Sequence, residues 1–214
     1  MASWAEVILI VLFSLRVSLS ATLLSAAWSL PLAFLAARGL RAARVLVGVC
    51  EGLVGVPTVL VGLVLYMLLS RHGPLGGLGV LYTPTAIVIG ESILVTPIIT
   101  AVGYRVLKRS IDRFGELALS LGASEARAFL FSLQESLPGL LSVLLMGFSR
   151  AIGELGVALM VGGNIRGYTR TMTTAIALEV SKGEFGEAIV LGIMLVAIML
   201  ASSLIIYVLG REEA

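Results

Sequence analysis

Residues 116–138 read ELALSLGASEARAFLFSLQESLP and form a partly polar insert in a chain that is otherwise strongly apolar. Helical spacing relates the apolar residues on either side of Gly122: Phe114, Leu117, Ala118 and Leu121 before it, and Ala126, Phe129, Leu130 and Leu133 after it. Ser124 is placed to cap the second helix, and Glu125 lies in its first turn, where the helix dipole favours negative charge. The stretch predicts a helix, a glycine turn and a second helix.

The composition around this insert is that of an integral membrane protein. Hydrophobic residues make up 58% of the 214 residues, charged residues 13%, and the mean hydropathy is +1.07. A soluble domain carries about 25% charged residues, so this chain lacks the polar surface to cover a water-facing globule. One cysteine, Cys50, and one histidine, His72, offer neither a disulfide framework nor a metal site, and we expect no bound cofactor.

Five apolar segments are long enough to cross a hydrocarbon core of about 30 Å as helices. They cover residues 14–37, 45–70, 80–107, 138–163 and 188–210, with a loop over 108–137. We expect residues 1–13 to be an external or interfacial segment and 208–214 a tail; whether residues 5–14 span the bilayer stays open. A four-residue stripe of small side chains in the first span predicts close packing of another helix, at Ser14, Ser18, Thr22 and Ala26.

Basic residues are distributed unequally between the two sides that these spans define. One side holds nine: Arg38, Arg41, Arg44, Arg105, Lys108, Arg109, Arg113, Arg127 and Arg211. The other holds four: Arg71, Arg166, Arg170 and Lys182. The positive-inside rule therefore places the insert and the C-terminus in the cytoplasm and the N-terminus outside.

Arg16 lies within the first predicted span. Glu51, Glu91, Arg150 and Glu154 lie within later spans, where each is costly in lipid. Arg150 and Glu154 are four residues apart on a helix and can form an ion pair. The pair either neutralises the two charges so that the helix can insert, or Arg150 lines a translocation path and transiently contacts an anion. Glu51 is close enough to the cytoplasmic arginines to pair with them. Glu91 has no partner evident in the sequence.

The predicted external connection is rich in hydrogen-bond donors and carries two arginines. Its candidate path residues are Asn164, Arg166, Arg170 and Thr173. Such a set suits a tetrahedral oxyanion. A solvated loop that contacts lipid headgroups has a similar composition, so both interpretations stay open.

Motifs for catalysis or nucleotide binding are absent from the sequence. There is no GxxxxGK[ST] loop to cradle ATP phosphates, no HExxH and no GxSxG. A short helix pair with a sharp bend is suited to present a rigid surface to a partner protein. The alternative for the insert is an interfacial helix pair that only joins two spans.

The insert resembles the EAA loop of binding-protein-dependent ABC import permeases. Glu116, Ala118 and Gly122 match that pattern, whereas Leu117 replaces its second alanine and Gln134-Glu135 stands where many members have Leu-Pro. The resemblance implies a type I importer permease fold over residues 14–207. It also implies that the loop docks on the ATPase through Glu116, Leu117, Ala118, Gly122, Ala123 and Ser124.

Residues 150–188 resemble the tungstate-type branch of the molybdate, tungstate and sulfate permeases. The match includes Asn164-Ile165 and the run TRTMTTAI at 169–176. It implies a homodimeric, multi-pass permease of the plasma (inner) membrane, not itself an enzyme, that imports an oxyanion by alternating access. Its partners would be two ATPase subunits, which use ATP and Mg²⁺, and an extracytoplasmic substrate-binding protein.

Other functions remain as alternatives. A molybdate or sulfate permease is the nearest. A secondary transporter should show repeated halves with broken helices, and none is apparent. A membrane-embedded enzyme would need a convergent catalytic set, which one histidine does not supply.

Overall fold

The computed structural model describes residues 4–211, with side chains through Tyr207. No β-strand occurs in this range, which confirms the predicted all-α class. Residues 4–211 contain ten α-helices, in the order α1 (Trp4–Ala37), α2 (Arg41–Leu53), α3 (Thr58–Leu69), α4 (Pro84–Ser110), α5 (Glu116–Ser120), α6 (Glu125–Glu135), α7 (Leu137–Ile152), α8 (Gly156–Gly162), α9 (Met172–Lys182) and α10 (Phe185–Arg211). A 3₁₀ turn at Gly76–Leu78 and a π-helical turn at Ile111–Gly115 complete the helical elements of this range.

Three helical stretches among the described residues are long and apolar enough to cross a membrane. They are Trp4–Ala37, Pro84–Ser120 and Phe185–Tyr207. Two bent helix pairs, α2 with α3 and α6 with α7, bring the number to five if each pair counts as one span. The protein is therefore an integral membrane protein, and the predicted five spans equal the upper limit of this range.

Two predicted spans are interrupted rather than continuous. Residues 54–57 separate α2 from α3 inside the predicted span 45–70. Pro57, which directly precedes α3, lacks an amide hydrogen and cannot continue α2. Residues 153–155 separate α7 from α8 inside the predicted span 138–163, and Glu154 lies in that break.

The predicted ends of the first and last segments coincide with no break in a helix. Helix α1 is continuous from Trp4, so nothing in its backbone separates residues 4–13 from the span. Helix α10 continues to Arg211, so the predicted tail 208–214 begins as helix. The remaining predicted terminal residues, 1–3 and 212–214, lie outside the described range.

The third predicted span also continues further than expected. Helix α4 passes through the π-helical turn directly into α5, so one helical stretch runs over Pro84–Ser120 instead of ending near residue 107. The basic and acidic residues over 105–113 suggested a boundary, but charged side chains at the end of a long helix reach water without unwinding it. The start of the insert is thus an extension of a span.

One compact unit of the chain comprises residues 4–24, Val56–Val95 and Phe148–Ala201. Its small-residue stripe is buried, because Ser14, Ser18 and Thr22 are each 2% exposed. The Ser14 hydroxyl accepts a 2.8 Å hydrogen bond from the amide of Met172, which confirms that another segment packs closely there. Two apolar clusters form the core of this unit, one around Val17, Leu65, Ile87, Val157 and Val161 and one around Val7, Ile10, Ile152, Met172 and Leu191.

The second compact unit comprises Ser25–Gly55, Thr96–Gly147 and residues 202–211. Ala33, Ala37 and Leu107 form one buried cluster, which includes the partly buried Leu133 of α6. Ala36, Ala43 and Val47 form another. This unit holds the insert.

Candidate functional site

The insert has the predicted helix, turn and helix. Helix α5 ends at Ser120, Gly122 adopts a positive φ of 86°, and α6 begins at Glu125. The turn is closed by backbone hydrogen bonds from Gly122 to Leu119 and from Ala123 to Ala118, each 3.0 Å. Glycine fits here because it adopts the left-handed region at little cost.

The capping role predicted for Ser124 was wrong. Ser124 occupies the N-cap position of α6 with extended backbone, but its side chain makes no capping hydrogen bond. Its carbonyl instead accepts the first helical hydrogen bond, from Ala128, at 2.9 Å. Ser124 therefore starts α6 through its backbone conformation alone.

Helix α6 is anchored to the ends of α1 and α4 within the second unit. The Ser110 hydroxyl donates a buried 2.5 Å hydrogen bond to the Ser132 carbonyl. Phe129 packs edge-on against Phe34, with ring centroids 5.3 Å apart, and the Arg38 guanidinium lies 5.1 Å from the Phe129 ring. The insert is thus a fixed protrusion rather than a free loop.

The apolar faces predicted for the insert are displaced from those observed. Ala118 is buried, but Leu117 and Leu121 are 51% and 80% exposed. In α6 the buried positions are Ala128 and Ser132, while Ala126 and Leu130 are exposed. The consequence is a set of exposed large apolar side chains on the insert, namely Leu117, Leu119, Leu121, Leu130 and Phe131. Because the insert lies outside the predicted spans, these side chains are available to a partner protein rather than to lipid.

The predicted docking residues mostly lie on this accessible side. Glu116, Leu117, Gly122 and Ser124 are exposed, and Ala123 is half-buried. Ala118 is buried at 9% exposure and supports the turn from inside, since its carbonyl accepts the Ala123 hydrogen bond.

A basic end of α4 adjoins the π-helical turn. Tyr104, Arg105, Lys108, Arg109, Asp112 and Arg113 line a cavity of about 600 Å³. Arg105 pairs with Glu51 at 2.7 Å, which confirms that Glu51 is neutralised by an arginine, and Lys108 pairs with Asp112 at 2.5 Å.

In the first unit, the predicted Arg150–Glu154 pair is present. An Arg150 guanidinium nitrogen lies 2.7 Å from Glu154 Oε2, and the Val157 amide donates to Glu154 Oε1 at 3.0 Å. The Thr173 hydroxyl donates to the Glu154 carbonyl at 2.7 Å. Glu154 is 3% exposed, so this buried carboxylate joins Arg150, the start of α8 and α9.

Glu91 lies in the same polar region. It is 1% exposed, and its side chain is positioned to accept a hydrogen bond from Ser18 of α1 and to interact electrostatically with Arg150 and Glu154. Its Oε2 atom has no hydrogen-bond partner among residues 4–211. The structure therefore brings Glu91, Arg150, Glu154 and Thr173 together.

The remaining predicted path residues belong to the loop between α8 and α9. Asn164 has a positive φ of 51°, and its amide nitrogen donates to the Thr174 carbonyl at 3.2 Å. Arg170 donates to Asn164 Oδ1 at 3.1 Å. Arg166 instead binds Glu6 of α1 in a bidentate pair, with Nε to Oε1 at 2.6 Å. This hydrogen bond to Glu6 raises the pKa of Arg166 further above its ordinary value.

Comparison with known proteins decides the family. The sequence model described as the binding-protein-dependent transport system inner membrane component matches residues 29–212. The chain belongs to this family. The match covers most of the chain and confirms the resemblance that the insert and residues 150–188 carry.

Individual relatives of this permease are similar over much of their length. The tungstate uptake system permease protein TupB of Peptoclostridium acidaminophilum is 38% identical over 208 residues, 97% of this chain and 91% of that protein. TupB of Campylobacter jejuni is 40% identical over 155 residues, 72% of this chain and 65% of that protein. The molybdenum transport system permease protein ModB of Haemophilus influenzae is 30% identical over 177 residues, 76% of this chain and 77% of that protein.

Three contributors to the permease's polar regions were missed by sequence reasoning. Ser18 next to Glu91 stood in the small-residue stripe, which indicated packing but no partner. Glu6 and Arg16 precede the loop by about 150 residues, and no local pattern joins them to it. Only the fold places them beside Arg166 and Arg170, where all four line one cavity.

Proposed function

We propose that this chain is the permease subunit of an ATP-driven importer that carries a tetrahedral oxyanion, most specifically tungstate, across the plasma (inner) membrane. The observation that carries the substrate is the similarity to two tungstate uptake permeases, 38% and 40% identical. A permease for molybdate is the second candidate, favoured by the 30% identity to ModB.

The proposed topology has five spans with the N-terminus outside and the C-terminus in the cytoplasm. Two of the spans are interrupted helices, α2 with α3 over residues 45–70 and α7 with α8 over residues 138–163. The excess of nine basic residues over four supports the orientation. In this arrangement the insert faces the cytoplasm and the α8–α9 loop faces outward.

The proposed assembly contains two copies of this permease, two cytoplasmic ATPase subunits and one extracytoplasmic binding protein. The ATPase would dock on Glu116, Leu117, Gly122, Ala123 and Ser124, with buried Ala118 shaping the turn. The exposed apolar side chains around them, Leu119 and Leu121 among others, support this docking, because removing apolar surface from water favours association.

The proposed mechanism is alternating access driven by the ATPases. The insert continues from α4 in one helical stretch, Pro84–Ser120, so a displacement of the insert would be passed to a spanning helix. ATP and Mg²⁺ are bound and consumed by the partner chain. Closure of the ATPases would then switch the spans between outward-facing and inward-facing states.

The proposed path passes the polar side chains of the first unit: Glu91, Arg150, Glu154, Asn164, Arg166, Arg170 and Thr173. The two loop arginines would receive the anion outside. Deeper in, Arg150 is held by Glu154 at 2.7 Å, so the path presents an already neutralised cation and no tight site. Weak, successive contacts suit a transporter whose affinity resides in a separate binding protein.

Uptake by the reconstituted complex tests this proposal. The permease, its ATPase and its binding protein are placed in proteoliposomes, and accumulated tungsten and molybdenum are quantified by mass spectrometry with each oxyanion competing against the other and against sulfate. ATP-dependent tungsten accumulation that needs the binding protein is expected. Accumulation of molybdenum alone would favour the second candidate, and accumulation of neither metal would refute import of both tungstate and molybdate.

A further inference from the structure

A cavity of about 390 Å³ lies within the first unit, between the N-terminal half of α1 and the α8–α9 loop. Its volume falls within the range of about 300–1,000 Å³ that is typical of small-ligand pockets. Its polar lining consists of Glu6, Arg16, Arg166, Tyr168 and Arg170, and the rest is apolar side chains of α1 and Gly167. The cavity includes α1 residues that the proposed path did not contain.

The charge of the cavity favours an anion. Three arginines face one glutamate, which gives a net charge of +2. Two of the arginines have partners, because Arg166 binds Glu6 and Arg170 binds Asn164. Arg16 is exposed and makes no hydrogen bond or ion pair with the side chains described over residues 4–207. Its guanidinium is therefore free to contact a ligand in the cavity that it lines.

The Glu6 carboxylate binds the Arg166 guanidinium in the way that an oxyanion would. Its two carboxylate oxygens accept parallel hydrogen bonds from Nε and Nη2 of Arg166. A tetrahedral oxyanion offers an equivalent pair of oxygens to the same guanidinium fork. Ligand and Glu6 therefore compete for Arg166, while Arg16 and Arg170 supply charge that Glu6 does not neutralise.

We propose that this cavity is an oxyanion-binding site for a tetrahedral dianion, held by Arg16 and Arg170, and by Arg166 once Glu6 is displaced. The identity of the ligand rests on the proposed function. The site explains why an unpaired Arg16 stands in α1, and it makes Glu6 a built-in competitor that keeps the binding weak enough for release.

Binding of tungstate to the full-length chain in nanodiscs tests the proposal, with bound tungsten quantified after equilibrium dialysis. Arg16→Gln should weaken the affinity about tenfold, the effect of losing one charge-assisted contact. Arg16→Lys should restore part of it. Glu6→Gln should strengthen the affinity several-fold because it releases Arg166.

Arg71→Gln is the matched control, since it removes one exposed arginine outside the cavity and should leave the affinity unchanged. Size-exclusion chromatography and circular dichroism establish that each variant is folded. The proposal is overturned if the wild type shows no saturable tungstate binding, if Arg16→Gln binds as the wild type does, or if Glu6→Gln binds more weakly.

Uptake measured with the same variants separates this proposal from the proposed function. If the wild type takes up tungstate and Arg16→Gln binds it as tightly as the wild type does, the cavity site is refuted and the proposed importer function is retained. Saturable, Arg16-dependent binding without any ATP-driven uptake would support the cavity site and contradict the proposed importer function.

Discussion

At the scale of single residues, the buried Arg150–Glu154 pair is the most connected feature of the first unit. Glu154 is almost fully buried, whereas the Arg150 side chain is 33% exposed. The same carboxylate also receives the Val157 amide at 3.0 Å. Removing one member of such a pair leaves an uncompensated charge, while removing both does not.

Glu154→Ala should therefore destabilise the protein more than the double change Arg150→Gln with Glu154→Gln. We expect a loss near the lower end of about 3–5 kcal/mol for the single change, since Arg150 is partly exposed, and a clearly smaller loss for the double change. Denaturation by SDS titration of the purified variants measures both. Equal losses would show that the pair does not act as a pair.

A close contact between α4 and α8 gives a second prediction at this scale. A Cβ atom on Gly90 would lie 2.3 Å from Val157 Cγ1, well inside contact distance. Gly90→Ala should cost about 1–3 kcal/mol through overpacking. The matched control is Gly192→Ala in α10, where a Cβ meets no atom within 4 Å, and whose thermal midpoint should not fall. A stable Gly90→Ala protein would contradict the observed packing.

Contacts between residues one helical turn apart could be predicted from the sequence. Contacts between residues far apart in the chain could not. The Arg150–Glu154 pair follows from one helical turn, and it is present at 2.7 Å. Glu91 had no evident partner because Ser18 lies 73 positions earlier on another helix. Helical periodicity states which face a residue occupies and says nothing about which helix will cover it.

At the scale of elements, the turn in the insert could be predicted from the sequence, but the helix that precedes it and the contacts that hold α6 in place could not. Gly122 signals a break by its chemistry, and its φ of 86° confirms it. The continuation of α4 through a π-helical turn was not predicted, since the charged residues over 105–113 resemble a connection. The predicted apolar faces also shifted, because burial in α6 is decided by contacts such as that of Ser132 with Ser110.

Helix α9 carries the capping box that the sequence analysis did not identify. The Thr171 hydroxyl accepts from the Thr174 amide at 3.3 Å, and the Thr174 hydroxyl accepts from the Thr171 amide at 2.9 Å. Thr171→Ala should lower the free energy of unfolding by about 1 kcal/mol, and Thr171→Ser should retain most of it. SDS titration of both variants checks this. Equal stability of Thr171→Ala and the wild type would show that the box contributes nothing.

At the scale of the whole molecule, composition was sufficient to predict an integral membrane protein. A mean hydropathy of +1.07 predicted the membrane, and the described residues provide three to five spans. The number within that range depends on whether each of the bent pairs α2–α3 and α6–α7 forms one span. The helix breaks at residues 54–57 and 153–155 were not predicted, because hydropathy windows average over such short interruptions.

We propose that the insert couples ATP hydrolysis in a partner ATPase to transport through this permease. Gly122 is the position for a test, because a Cβ there meets no atom within 4 Å. Its positive φ strains any side chain, and aspartate tolerates the left-handed backbone better than most residues. Gly122→Asp should therefore still insert while placing a charge on the docking surface. Gly79→Asp is the matched control, since Gly79 also has a positive φ, of 61°, and open space around it, and it lies outside the insert.

The most direct measurement is binding-protein-stimulated ATP hydrolysis and tungstate uptake, recorded together in proteoliposomes for the wild type, Gly122→Asp and Gly79→Asp. We predict that Gly122→Asp loses most of both activities while the other two retain them. Normal hydrolysis and uptake in Gly122→Asp would contradict the coupling role of the insert.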